Sequence, residues 1–201
     1  MGLLTEKDLR KDPIKLFDRW YKAAKASDGI EDASALCLST IGSDAYPEGR
    51  MVLLKEHGPD GFVFYTNFRS IKGKALLARP KAAMTFYWEP LARQVRIVGL
   101  VKPVSPAEAD EYFRSRPRLS QIGAWASHQS EVLASRSELE RRFAFYKKKF
   151  DSGQVPRPSH WGGFRLKPRS IEFWQGRPNR LHDRILYRFR GGSWKALRLN
   201  P

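Results

Sequence analysis

SALCLSTIGSDAYPEGRMVLLKEHGPDGFVFYT, residues 34–66, holds three β-rich runs divided by turn-forming residues. Ser34 to Ile41, Arg50 to Glu56 and Gly61 to Thr66 carry the branched and aromatic side chains that suit a pleated, half-buried surface. Between them lie Gly42-Ser43-Asp44 with Pro47-Glu48-Gly49, and then Gly58-Pro59-Asp60-Gly61. Links this short join antiparallel neighbours, whereas a parallel crossover needs a dozen residues or more. The stretch predicts an antiparallel meander.

Outward from it, Asp12 before Pro13 reads as a helix cap, and Ile14, Phe17, Tyr21 and Ala24 recur at helical spacing, predicting a helix over 13–26. Ser70 caps a short helix that runs through Arg79 and stops before Pro80. Strands are expected at 82–88 and 92–104. Ser105-Pro106-Ala107-Glu108 is a capping box opening a helix to about Ser115, and Ser137-Glu138-Leu139-Glu140 is a second one, leading into a basic helix that ends near Gly153. Four strand-like runs follow a loop from Gln154 to His160: 162–168, 170–175, 183–190 and 194–199. With no repeat or low-complexity segment, the chain reads as one α+β domain, residues 1–201, built on an antiparallel barrel with flanking helices.

Composition narrows the chemistry. Hydrophobic residues make up 41% and charged residues 29% of 201, a globular balance. Cys37 is the single cysteine and has no disulfide partner within the chain; in the run Ala35-Leu36-Cys37-Leu38 it reads as a small core residue. Four histidines and one cysteine show no paired-ligand spacing, so no metal site is expected. No apolar run approaches a membrane span, and Met1 to Asp8 lacks the apolar core of a signal peptide, so a cytoplasmic protein without a membrane partner is expected. The net charge of +16 implies anionic partners, either nucleic acid or small phosphorylated molecules. From Trp161 to Pro201 there are ten lysines and arginines against two acids, Glu172 and Asp183. They alternate with aromatic and aliphatic residues, a pattern of folded strands and not of a disordered nucleic-acid arm.

Four segments carry candidate chemistry. Arg50-Met51-Val52-Leu53-Leu54-Lys55 is an apolar strand with a cation at each end; arginine suits bidentate phosphate contact and lysine a point-charge contact. Phe64-Tyr65-Thr66-Asn67 ends beside Ser70, Lys72 and Lys74 at a helix start, a favourable place for phosphate. Residues 112–130 concentrate hydroxyls, arginines and amides, and Tyr112 and Arg116, four apart, would share a helix face. Finally Trp161-Gly162-Gly163-Phe164 precedes Ile171 to Gly176 and Arg180-Leu181-His182-Asp183-Arg184, where a strand would put Arg180, His182 and Arg184 on one face. Each segment alone is also compatible with a solvated strand or helix end.

Together, from about Asp12 to the C-terminus, RMVLLK (50–55), FYTN (64–67), RQV (93–95), SRPRLSQIGAW (115–125), QS (129–130), WGGF (161–164), IEFWQG (171–176) and RLHDR (180–184) resemble the pyridoxamine 5′-phosphate oxidase family. The resemblance implies an FMN-binding split β-barrel, a homodimer with FMN at the subunit interface, and residues 161–201 as C-terminal substrate and dimerisation strands. It places Arg50 to Lys55, Tyr65, Thr66, Lys72, Gln94, Gln129, Ser130, Trp174 and Arg184 around FMN, with Gln129 and Ser130 reaching it from the partner. The substrate phosphate falls to Lys55, Tyr112, Arg116 and Ser120, and the pyridine ring to Arg180 and His182, the catalytic pair. The implied reaction oxidises pyridoxamine or pyridoxine 5′-phosphate to pyridoxal 5′-phosphate, with O2 as acceptor and hydrogen peroxide as product.

That chemistry needs two separate cationic cradles and stacked rings more than a strong acid or base. His182 suits proton transfer or positioning. The family's Ser-Arg-Lys stands here as Ser70-Ile71-Lys72; unless Lys74 or Arg69 compensates, FMN loses roughly 1.5–3 kcal/mol of charge-assisted hydrogen bonding. Some members have a longer N-terminal arm that covers the substrate; with about a dozen residues before the first helix here, that lid is expected to be missing or shortened. Rival readings are a split-barrel protein that carries FMN or pyridoxal phosphate without turnover, a split-barrel flavin reductase, and a nucleic-acid-binding barrel. The last leaves the SRPR and RLHDR segments unexplained.

Overall fold

The computed structural model describes residues 4–10 and 12–201. Met1, Gly2 and Leu3, part of the N-terminal reading above, lie outside the described residues. Five α-helices and nine strands follow in order: α1 Pro13–Lys25, β1 Ala35–Ile41, β2 Pro47–Leu53, β3 Glu56–Gly58, β4 Gly61–Asn67, α2 Ile71–Ala78, β5 Lys81–Trp88, β6 Arg93–Pro103, α3 Pro106–Ser115, α4 Arg118–Ala126, α5 Arg136–Lys149, β7 Trp161–Gln175, β8 Asp183–Arg190 and β9 Ser193–Leu199.

Every pairing is antiparallel, in the order β2-β1-β5-β6-β7-β4-β3, with β8 on β7 and β9 on β8. The two ends of the path, β2 and β3, are separated in the chain only by Leu54 and Lys55, and the Lys55 amide donates to Val63 O of β4 at 2.8 Å. The sheet thereby closes into a barrel. It is split along β7, whose first half pairs with β4 through Trp161–Leu166 and whose second half pairs with β8 through Ser170–Gln175. The strand changes register opposite Val98 and Gly99, where Gly99 faces Pro168.

Alternation fills the barrel. Leu36, Leu38, Phe62, Phe64, Met84, Phe86, Ile97, Phe164, Ile171 and Phe173 are fully buried. Helix α1 plugs one end: Phe17 packs edge-on against Phe62 and Phe86 at 4.9 and 5.2 Å, and Trp20 against Phe173 at 5.2 Å. Its cap is the expected one, with Asp12 accepting from the Ile14 amide at 2.8 Å. A second, smaller core of Phe113, Ile122, Val155 and Trp161 lies under α3, α4 and α5.

Several expected boundaries move. The run 50–56 is not one strand. The loop Gly42–Tyr46 closes on itself, the Gly42 amide donating to Tyr46 O at 2.8 Å, so Pro47 already pairs with Ile41 and β2 ends at Leu53. Runs 162–168 and 170–175 form the single strand β7, because the irregularity at Gly99 accommodates Pro168, which has no amide to donate. Helix α5 is capped by Ser135, not Ser137, through the Glu138 amide at 3.2 Å. Helix α4 has no counterpart in the expected elements. Cys37 points away from the core between buried Leu36 and Leu38 and is only half-buried.

A Cβ added at Gly99 would meet Lys167 O at 2.1 Å and Leu166 Cδ2 at 2.8 Å. Overpacking there would push β6 from β7, so Gly99→Ala is expected to cost about 1–3 kcal/mol. Thermal unfolding checks this; the midpoint should fall by roughly 2–4 °C per kcal/mol.

Candidate active site

Between the barrel rim and the α3–α4 pair lies a cavity of about 800 Å³. Strand β2 and the link after it contribute Met51, Val52, Leu53 and Lys55; β4 contributes Tyr65, Thr66 and Asn67; α2 contributes Lys72. The other wall comes from Tyr112, Ser115, Arg116 and Pro117 at the end of α3, from Ser120, Gly123 and Ala124 on α4, and from Ser127, Gln129 and Trp161. No carboxylate is among these lining residues.

Two of the lining cations, Lys72 and Arg116, are held by something other than an acid. Ser70 caps α2 by accepting from the Gly73 amide, which fixes the first turn that carries Lys72. Lys72 Nζ donates to Thr66 Oγ1 at 3.4 Å and to Gln129 Oε1 at 3.3 Å. Burial, and then the nearby Arg50 charge, hold its pKa below the usual lysine value. Arg116 lies flat over Trp161, its Cζ 4.6 Å from the ring centroid, and its Nη1 is buried without a hydrogen-bond partner. Burial lowers its pKa as well. A desolvated guanidinium and a desolvated ammonium, each short of a counter-charge, fit two anionic groups.

An aromatic stack lies between them. Tyr65 stacks on Tyr112 at 3.9 Å and on Trp161 at 5.4 Å, with rings 15° and 7° from parallel. Burial, followed by the Glu108 charge, pushes the Tyr65 hydroxyl up to about 12, so it stays protonated at neutral pH and is a surface and a donor, not a base. Gly163 makes room for it, since a Cβ there would meet the Tyr65 ring at 2.7 Å.

Of the residues expected at the site, Met51, Val52, Leu53, Lys55, Tyr65, Thr66, Lys72, Tyr112, Arg116, Ser120 and Gln129 line this cavity. Tyr112 and Arg116 meet there for a different reason than a shared helix face. Arg116 is the C-cap of α3, with extended backbone at φ −73 and ψ 149, as a residue before proline prefers. Gln129 reaches Thr66 and Lys72 of its own chain, which corrects the expectation that it arrives from a partner. Arg50 does not line the cavity; its guanidinium is held by Glu48 and Thr40, each at 2.5 Å. Leu54 is in the core. Neither Lys74 nor Arg69 lines the cavity where Ile71, half-exposed, replaces the family's arginine. Asn67, Ser127 and Trp161 are lining residues that no role had been given to; Trp161 stood at the head of the WGGF segment.

The remaining expected residues form a second group. Gln94, Trp174 and Arg184 lie in register across β6, β7 and β8. Arg184 is bound by Glu172 at 2.8 Å, and the same buried carboxylate holds Arg96 at 2.7 Å. His182 packs 4.6 Å from Trp174, and its Nδ1 accepts from the Arg177 amide at 3.1 Å. The shared strand face of Arg180, His182 and Arg184 is a misreading. Pro178 opens a single helical turn in which Asn179 and Arg180 take φ of 57 and 61, and β8 begins only at Asp183. Ser130, also at positive φ (72), lies outside the lining with this group.

The second group shares one sheet face with the first. Met51, Cys37, Thr85, Arg96, Glu172, Leu186 and Leu197 are consecutive partners across seven strands, with the row Tyr87-Gln94-Trp174-Arg184 beside them. Met51 and Tyr87, 64% and 60% exposed, are apolar groups that such a face leaves to solvent in one chain.

Family models match both halves of the chain: "Pyridoxamine 5'-phosphate oxidase" over residues 23–149 and "Pyridoxine 5'-phosphate oxidase C-terminal dimerisation region" over 161–201. The chain belongs to the pyridoxamine 5′-phosphate oxidase family. The oxidase of this name from Thermosynechococcus vestitus is 53% identical over 98% of this chain and 93% of its own, and that from Nocardioides sp. is 51% identical over 98% and 92%. PhzG from Burkholderia lata, solved with tetrahydrophenazine-1-carboxylic acid, superposes with a TM-score of 0.92 at 31% identity, covering 100% of this chain and 98% of that one. An FMN-binding relative from Nostoc punctiforme, at 16% identity and TM-score 0.75, shares the fold. As a flavoprotein oxidase of this family, the chain has a dimerisation region in β7, β8 and β9. Among the described residues no helix is long and apolar enough to cross a membrane, and no three His, Cys, Asp or Glu side chains are grouped to hold a metal ion.

If Arg116 waits for an anion, inorganic phosphate should raise the thermal midpoint of the apoprotein through preferential binding to the folded state. In Arg116→Met that increment should shrink; an equal increment in both would show phosphate stabilising from elsewhere.

Proposed function

We propose that this chain is an FMN-dependent oxidase that converts pyridoxamine and pyridoxine 5′-phosphate to pyridoxal 5′-phosphate, with O2 as the final acceptor and hydrogen peroxide as product. The observation that carries the proposal is the carboxylate-free cavity, with Lys72 on one side, Arg116 on the other, and a stacked aromatic wall between.

Lys72 and Thr66, with Arg50 nearby, would hold the phosphate of FMN, and Met51 to Lys55 would lie along the flavin. Bound FMN supplies the two-electron acceptor between substrate and oxygen. Arg116, Tyr112, Ser120 and Lys55 would hold the substrate phosphate, giving each of two dianions its own cradle. A hydride equivalent leaves the substrate C4′, and a proton leaves its amine or hydroxyl group. For the amine, water then releases ammonia to leave the aldehyde. Oxygen takes up both electrons and two protons.

Gln94, Trp174, Arg180, His182, Arg184 and Ser130 would complete the site from a second copy of the chain, a reading that the shared sheet face and the dimerisation region support. In this reading Arg180 orients the ring and stabilises charge at C4′. His182 positions: the Arg177 amide donates to its Nδ1, so the neutral ring carries its proton on Nε2 and can donate there. The compartment proposed for this reaction is the cytoplasm.

Purified protein is expected to be yellow and to bleach on anaerobic addition of pyridoxamine 5′-phosphate, regaining colour in air. Bleaching only by a nicotinamide cofactor would make it a reductase, and no bleaching by either would make it a flavin carrier. Arg180→Ala should lower turnover by more than it lowers flavin content; equal losses would remove Arg180 from the substrate side.

A further inference from the structure

Gln121 is buried at 8% exposure on the first turn of α4, and its side chain turns back toward α3. Its Nε2 donates to three backbone carbonyls: Phe113 O at 3.0 Å, Arg114 O at 3.1 Å and Arg116 O at 2.9 Å. The first two belong to the last turn of α3, whose carbonyls have no partner within the helix. The third belongs to Arg116, beyond the helix end.

Arg116 needs such an anchor. Pro117 forces it out of helical geometry, and the one backbone bond that its amide makes, to Phe113 O, is long at 3.3 Å. Its guanidinium must nonetheless stay over Trp161, and Trp161 is itself tied down by Arg157, which donates to Trp161 O at 2.6 Å and pairs with Asp110 at 2.6 Å. A carboxylate at 121 would face three carbonyl oxygens with no donor to offer them. An amide supplies only donors to those carbonyls and leaves the guanidinium unneutralised. Ser120, the neighbouring residue on the same turn, lines the cavity beside Arg116.

We infer that Gln121 is a positioning residue for substrate-phosphate binding, holding the α3–α4 elbow so that Arg116 and Ser120 meet the phosphate already in place. It acts through Arg116 and lines no part of the cavity. This rests on the reading of Arg116 as the substrate-phosphate group, and the test separates the two claims.

Gln121→Met keeps the approximate volume and removes the donors. In the flavin-loaded dimer it should raise the KM for pyridoxamine 5′-phosphate about tenfold, the scale of one to two lost neutral hydrogen bonds. The inhibition constant of inorganic phosphate and the equilibrium dissociation constant of pyridoxal 5′-phosphate should rise by the same factor. Turnover at saturation and flavin content should hold at wild-type values. A purely structural role would instead lower turnover, flavin content and thermal midpoint together without a selective change in phosphate affinity, and that result, or unchanged constants, overturns the inference. Should Gln121→Met give no folded dimer, Gln121→Asn, which keeps the donor on a shorter arm, reads the same ratio. Arg116→Ala is the control. If it raises the constants and Gln121→Met does not, only the role of Gln121 fails; if Arg116→Ala leaves them unchanged, the phosphate cradle itself fails.

Discussion

Two desolvated cations facing a cavity without a carboxylate are the constraint on which this molecule depends. Burying a guanidinium or an ammonium is unfavourable unless it is paired. Several arginines outside the cavity obey that rule: Arg184 and Arg96 share Glu172, Arg165 has Glu108 and Glu56, and Arg177 and Arg198 share Asp183. At the cavity it does not, for Arg116 keeps a buried Nη1 without a partner and Lys72 has only neutral acceptors. In the proposed reading, anions that enter the cavity offset the cost of leaving these cations without a counter-charge. Excess charge of +16 over the whole chain favours the same traffic at long range.

In the proposed reading, the barrel leaves one chain with only part of the machinery. Strand β7 serves both halves: its first segment supports Tyr65 through β4 and brings Trp161 to the cavity, while its second carries Trp174 toward Arg184. Both groups of residues belong to one continuous sheet, but Gln94, Trp174 and Arg184 lie outside the cavity lining. Apolar Met51 and Tyr87 on the same face supply the surface that a second copy would cover. In this account the dimer is part of the site.

Local chemistry made much of this legible in the sequence. Caps at Asp12, Ser70 and Ser105 and the turn before Gly61 are short-range signals, and the helices they open and the strand β4 stand where the residues predict, whereas the short β3 before that turn does not. Boundaries that depend on distant partners were not legible. The continuity of β7 through Pro168 depends on the irregularity at Gly99, some seventy positions away, and Arg180 leaves the strand because Pro178 and Asn179 set a left-handed turn. Helix α4 begins without a capping side chain and contains Gly123, so its local signal is weak. Lys72 already read as a candidate phosphate ligand from its place at a helix start, whereas Gln129 read as a site residue only through family resemblance, since their meeting needs the folded barrel. Gln121 stood within the SRPRLSQIGAW segment, but nothing there marked it for this role, because its partners are backbone carbonyls.

Subunit complementation tests the shared site most directly. Arg116→Ala lies in the cavity of one chain and Arg180→Ala in the group assigned to its partner. Mixing the two weakly active homodimers under conditions that allow subunit exchange would give heterodimers with one site carrying both changes and one carrying neither. The account predicts that oxidase activity reappears on mixing, with wild-type KM for pyridoxamine 5′-phosphate. Activity that stays at the level of the separate variants, with exchange verified, would place both arginines in the same chain's site and contradict it.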